Sequence, residues 1–136
     1  MDIRKFAVEQ TATLHLRDAD DELMYADGDK AKPVILRMYG PGSKKYAEAQ
    51  ARQSNRLMDK LKRKGKSDQT AEQRAGESAE FLADCTQGGE NLEYGELTGR
   101  EMLIAIYADE SIGFIADQAA KFINDWANFT KPSQQN

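Results

Sequence analysis

The residues best able to do chemistry are few, and they lie far apart in the chain. His15 is the single histidine and Cys85 the single cysteine among 136 residues. A metal site needs several N, S or O ligands at workable spacing, so His15 is read as a structural residue on a strand. A thiol nucleophile needs an activating base, and His15 is the only imidazole available, so Cys85 is read as a buried, inert thiol. The acids Asp18, Asp20, Asp21, Glu22, Asp27 and Asp29 invite a calcium-loop reading. Such a loop wants Gly at its sixth position and Glu at its twelfth; counted from Asp18 these are Leu23 and Asp29, so turns are expected instead. The carboxylate pairs Glu77/Glu80 and Asp109/Glu110 have the spacing of solvated helix surfaces, with no sign of a cleft that would shift a pKa for acid–base work. Gly40-Pro41-Gly42 lacks the Gly-Lys-Ser/Thr of a phosphate loop. Lys44 and Lys45 could still meet an anion there, but a strand-to-helix turn explains the glycines. No catalytic, cofactor-binding or metal-ligating residue is assigned.

Charge is the strongest pattern. Residues 44–66 carry nine Lys or Arg against Glu48 and Asp59, in a chain whose net charge is −4. Residues 67–136 carry four basic and thirteen acidic residues, and residues 1–43 six and eight. Such segregation favours contact between opposite faces, within the fold or between molecules. The run Lys60-Leu-Lys-Arg-Lys-Gly-Lys66 could grip phosphate. Against this, the isoelectric point is ≈ 5.1, and no aromatic residues interleave with the run for base stacking. A solvated or intramolecular face ranks first, a protein partner second and nucleic acid last. The candidate partner-binding residues are Lys44, Lys45, Arg52, Arg56, Lys60, Lys62, Arg63 and Lys64, with Trp126 and Phe129 at the far end. The aromatic pair is read first as core at a helix end, because the apolar periodicity runs straight into Trp126, and second as an interface anchor.

These residues need elements to place them. The length suits one domain that can bury roughly 70% of its unfolded surface without a staple. The lone cysteine fits a reducing compartment. No apolar run approaches the ~20 residues of a membrane span, and the N-terminus lacks the apolar core of a secretory signal. A soluble cytosolic protein is expected. Residues 12–16, 22–26 and 33–39 are strand candidates, separated by Asp-rich turns, and form an antiparallel meander. Ser43 is a good N-cap. Ala47, Ala51, Ser54, Met58 and Leu61 follow on one helical face, a narrow apolar stripe of mostly small residues opposite the charge, and Gly65 would stop that helix. Thr70-Ala-Glu-Gln73 has the form of a capping box for a second helix lined by Ala75, Ala79, Phe81 and Leu82. Gly88-Gly89 closes that region, and residues 91–95 are a linker. Thr98-Gly-Arg-Glu101 is a second capping box, opening a short helix with Met102, Leu103, Ile106 and Tyr107. Asp109 or Ser111 caps the next helix, with Ile112, Ile115, Ala119, Phe122, Ile123 and Trp126 on one face. The last two helices should fold back as a hairpin. The expected class is α+β: a small N-terminal antiparallel β-meander followed by about four α-helices, one domain over residues 1–129, and a disordered polar tail over 130–136.

The order of these pieces is distinctive. An apolar strand runs into Gly-Pro-Gly-Ser43 and a charged helix. An acidic helix ends at Asp84-Cys-Thr86. Asn91-Leu-Glu-Tyr94, a Thr-headed Leu/Ile/Tyr helix and the segment from Ile115-Ala-Asp-Gln118 to Trp126-Ala-Asn-Phe129 follow. Over about residues 10–129 this resembles the tail assembly chaperones of long-tailed bacteriophages, most of all in the final segment with Phe122, Asn124 and Phe129. The resemblance implies a non-enzymatic protein, without cofactor, in the cytoplasm of the infected bacterial host and absent from the mature virion. It would hold the tape measure protein soluble while tail tube subunits polymerise around it. A longer frameshifted form would recruit the tail tube protein, and the protein would act as a homo-oligomer. Opposite charge on residues 44–66 and 67–136 would then pair subunits head to tail, an arrangement that charge reversal at Arg56, Lys60 and Arg63 should weaken. Two other readings stand beside this one: a small nucleic-acid-binding or regulatory phage protein using the basic helix, and a virion tail-completion or connector protein.

Overall fold

The computed structural model describes residues 1–64 and 71–131, leaving aside the side chains of 63, 64 and 71–75. Its class is α+β. The elements run β1 (Thr11–His15), β2 (Ile35–Tyr39), α1 (Lys44–Lys64), α2 (Ala71–Asp84), β3 (Thr86–Glu90), α3 (Gly99–Ala108) and α4 (Gly113–Ile123). Short 3-10 turns occupy Ile3–Phe6, Ala26–Gly28, Glu110–Ile112 and Trp126–Phe129. Among the described residues no helix is long and apolar enough to cross a membrane.

The described sheet is antiparallel with order β1-β2-β3. Its third strand differs from expectation. Residues 22–26 make only isolated bridges, Arg17 with Leu23 and Tyr25 with Pro33. The Met24 N–H donates to the Leu16 carbonyl at 2.9 Å and the Val34 N–H to the Met24 carbonyl at 3.0 Å. The place beside β2 goes instead to Thr86–Glu90, where Gly88-Gly89 was expected to be a simple break. A Cβ on Gly89 would lie 2.8 Å from the Ile35 carbonyl oxygen, so glycine permits the close approach of the two backbones. The Asp-rich connections are turns. Asp18 Oδ1 accepts the Asp20 and Glu22 N–H groups at 2.9 and 3.1 Å, and Asp29 Oδ1 accepts that of Ala31 at 2.9 Å.

One face of β2 carries Leu36 and Met38 into the core. There they join Ala79, Leu82 and Ala83 of α2, Leu103, Ile106 and Tyr107 of α3, and Ile115, Ala119 and Ile123 of α4. Burying each large apolar side chain contributes about 1.5–3 kcal/mol. α2 packs most extensively on α3, and α3 and α4 fold back on each other as the hairpin reading required. Within this core Thr86 Oγ1 bonds the Leu82 carbonyl and the Tyr107 hydroxyl, both at 2.7 Å. That satisfies two polar groups that would otherwise be costly to bury.

The helix starts only partly follow their expected chemistry. Ser43 Oγ accepts the Tyr46 N–H at 3.1 Å and donates to the Gly40 carbonyl at 2.8 Å, so it caps α1. Thr98 sits at the N-cap of α3, but its side chain makes no capping bond. Asp109 caps the turn before α4 by accepting the Ser111 N–H at 2.9 Å. It also accepts the Tyr94 hydroxyl at 2.7 Å, tying the 91–97 segment to the helical hairpin. The bonds from Ser111 and Tyr94 hold the Asp109 carboxyl below the usual carboxylate range. The expected helix stop at Gly65, the box at Thr70 and residues 132–136 of the polar tail lie outside the described residues.

Candidate partner-binding surface

α1 decides what surface the protein offers. Its sequence has two competing stripes. One is apolar and small: Ala47, Ala51, Ser54, Met58, Leu61. The other mixes Tyr46, Ala49, Gln53, Arg56 and Lys60. The structure turns the second stripe inward, with Ala49 fully buried and its neighbours half-buried. Every member of the apolar stripe is exposed. Leu57 is 38%, Met58 54% and Leu61 41% exposed. The apolar face of this helix is therefore its outer face.

The reason is an acidic row on α2. Glu77, Glu80 and Asp84 recur at helical spacing and meet the cations of α1 in antiparallel order. Lys60 pairs with Glu77, Arg56 Nε lies 3.0 Å from Glu80, and Arg52 Nε donates to Asp84 at 3.3 Å. Asp84 is only 7% exposed at its side chain and also accepts Arg100 of α3 at 3.2 Å. This single carboxylate therefore links three helices. Leaving it unpaired would be costly, because a buried charge without a partner keeps its desolvation penalty. Glu77 and Glu80, read from spacing as solvated, are in fact the docking row, and Glu77 is buried. The cations at 52, 56 and 60 and the acids at 77, 80 and 84 share a helical period, the signal in the sequence from which this pairing could have been sought.

The candidate residues thus separate. Arg52, Arg56 and Lys60 are engaged inside the molecule. Lys44 and Lys62 are exposed. Lys45 is exposed too, with Glu48 at 3.9 Å, a surface pair of little energetic weight. The side chains of Arg63 and Lys64 lie outside the described residues. Phe129 is 1% exposed, packed edge-on against Phe122 with ring centroids 5.4 Å apart. It lies on Gly40, where a Cβ would come within 2.6 Å of ring carbons. The glycine is needed for that ring as much as for a turn, and Phe129 is closed to any partner. Trp126 is 56% exposed and borders Gly42 together with Val8. The N-terminal segment joins this end of the molecule, its Glu9 N–H donating to the Phe129 carbonyl at 2.7 Å. Met1, Ile3 and Phe6 are exposed on it.

The groups with chemical potential are otherwise occupied. A His15 ring nitrogen, Nε2, is 2.8 Å from the Met24 carbonyl oxygen, and the ring stands edge-on to Tyr25. Cys85 is fully buried. Burial first, and Asp84 second, push its thiol up to about 12, with Arg52 opposing. A thiol in that state is protonated at neutral pH and is a poor nucleophile. His15 pairs with Ile35 at one end of β2, whereas the Cys85 carbonyl accepts the Tyr39 N–H at the other. The two are roughly 13 Å apart along the strand, too far to form a dyad. Among the described residues no group of three His, Cys, Asp or Glu gathers to hold a metal ion. Compared with known proteins, the chain matches no family model, no curated protein and no solved structure.

Proposed function

We propose that this protein is a tail assembly chaperone of a long-tailed bacteriophage, which keeps the tape measure protein soluble while tail tube subunits polymerise around it. The order of elements in the chain suggests this reading. The observation that carries it is the outward apolar stripe of α1, a helix of 21 residues. A tape measure protein is a long, largely helical chain that exposes apolar stripes until tube protein covers it. A holder for such a chain needs exposed helical surface of its own, and several copies acting together turn weak single contacts into firm retention. The engagement of Arg52, Arg56 and Lys60 with acids leaves fewer cations for phosphate and so favours a polypeptide partner over nucleic acid. No bond is made or broken in this function, and no cofactor takes part.

Co-expression tests the proposal. A tape measure fragment that is insoluble alone should move to the soluble fraction and co-purify when this protein is made with it. A fragment that stays insoluble at equal expression would refute the chaperone reading.

A further inference from the structure

We infer that the outer stripe of α1 is a seat for one amphipathic helix of the client chain, and that this helix carries acidic residues along the border of its apolar face. The inference rests on the chaperone reading and adds to it the surface and the chemistry of the partner.

Three observations converge on this seat. Leu57, Met58 and Leu61 form a contiguous exposed apolar group at the C-terminal half of the stripe. Ala47, Ala51 and Ser54 continue it towards the N-terminus with small side chains, which allow a second backbone to come close. From 47 to 61 the stripe runs about 21 Å, roughly four turns, which suits one helix laid alongside. The described elements pack on the opposite side of α1, where the ion pairs to α2 hold it, so among the described residues nothing covers this face.

Charge chooses the occupant. The charged positions nearest the stripe are Lys44 and Lys62, both exposed, each about 60° from its axis at 100° per residue. The acids of α1 stand farther round the helix, and Glu48 faces Lys45. The helix carries eight cations and two acids, and among the described residues Arg52, Arg56 and Lys60 are the cations engaged by α2. A second copy of α1 is a poor occupant. Laid antiparallel on the same stripe, it would set Lys44 of one molecule beside Lys62 of the other, and like charges across an interface oppose association. A helix with Glu or Asp along its apolar border meets Lys44 and Lys62 with opposite charge.

The test uses two synthetic helical peptides of about 18 residues, long enough to form a helix on binding. Both carry the same Leu/Ala face; one is bordered by Glu and the other by Lys. Fluorescence anisotropy with the full chain should show the Glu peptide binding roughly tenfold tighter or more than the Lys peptide. The variant L57Q/M58Q/L61Q alters only exposed positions and uses a good helix former, so it should keep its circular dichroism. It should lose roughly tenfold or more in affinity for the Glu peptide. The variant K44E/K62E should reverse the preference between the peptides. Equal binding of both peptides, or binding untouched by L57Q/M58Q/L61Q, overturns the inference. So does a concentration-dependent dimer mass in light scattering that this variant abolishes, because the stripe would then seat a second copy. The two proposals fail separately. Tape measure rescue that persists in L57Q/M58Q/L61Q keeps the chaperone and removes this seat. Peptide binding as described, without rescue, keeps the seat and removes the chaperone.

Discussion

Cys85 shows how burial changes a residue that could have been reactive. Its thiol sits at the junction of α2 and β3, fully buried, with Asp84 next to it in the chain. The raised pKa has a thermodynamic consequence of definite sign. The unfolded chain loses the thiol proton near the ordinary 9.0, whereas the folded protein holds it to about 12. The contribution to stability is complete below the unfolded value and is lost as pH rises from there through the folded value. Thermal midpoints should therefore fall across that window, and Cys85→Ala should fall less steeply there. The native thiol should also resist a thiol-reactive reagent at about pH 8 and react once the chain is unfolded. Fast labelling of the native protein would contradict the burial on which the inert reading depends.

At the scale of elements, the half of α1 beyond Ala49 meets α2 through charge. Beyond Ala49 its inward face presents Gln53, Arg56 and Lys60, and the row Glu77, Glu80 and Asp84 answers it. Salt screens partly exposed pairs, whereas apolar packing of α2 on α3 is not weakened in the same way. Hydrogen exchange should thus report lower protection over residues 52–62 in high salt, with α3 and α4 unchanged. Asp84→Asn removes a carboxylate shared by α1, α2 and α3. Its cationic neighbours Arg52, Arg56 and Arg100 are partly exposed, so a cost of about 1–3 kcal/mol is expected, between the values for surface and buried pairs. Chemical denaturation would measure it; no change in midpoint would show that the network does not hold the helices together.

For the whole molecule, the segregation of charge suggested contact between opposite faces, within the fold or between molecules. The structure places part of it inside one subunit. Reversal at Arg56 and Lys60 is then a change to the fold. The variant R56E/K60E should lower the melting temperature at constant molecular mass, and adding E77K/E80K should restore it, since swapped pairs regain opposite charge. A loss of assembly with unchanged melting temperature would return these residues to an intermolecular role. What the surface presents instead is the stripe Leu57, Met58 and Leu61 on one side and Trp126 at another site. Apolar side chains exposed at separate places suit a protein that meets other chains at more than one of them.

The chain by itself determined whatever depends on neighbours a few residues apart. Ser43 capping α1, the Asp turns at 18–21 and 27–29, the strand at 35–39 and the apolar hairpin from Met102 to Ile123 were all legible, because a cap, a turn or a helical period is set by local backbone chemistry. Tertiary structure decided three things. It brought Thr86–Glu90 to the edge of β2 in place of residues 22–26. It buried Phe129 while leaving Trp126 exposed. It turned the cationic stripe of α1 inward. In each case two candidates had acceptable local pattern, and the choice fell to a partner distant in sequence: the open edge of β2, the space over Gly40, and the acids of α2. Periodicity names the faces of a helix, but which face is buried depends on what the rest of the fold brings against it.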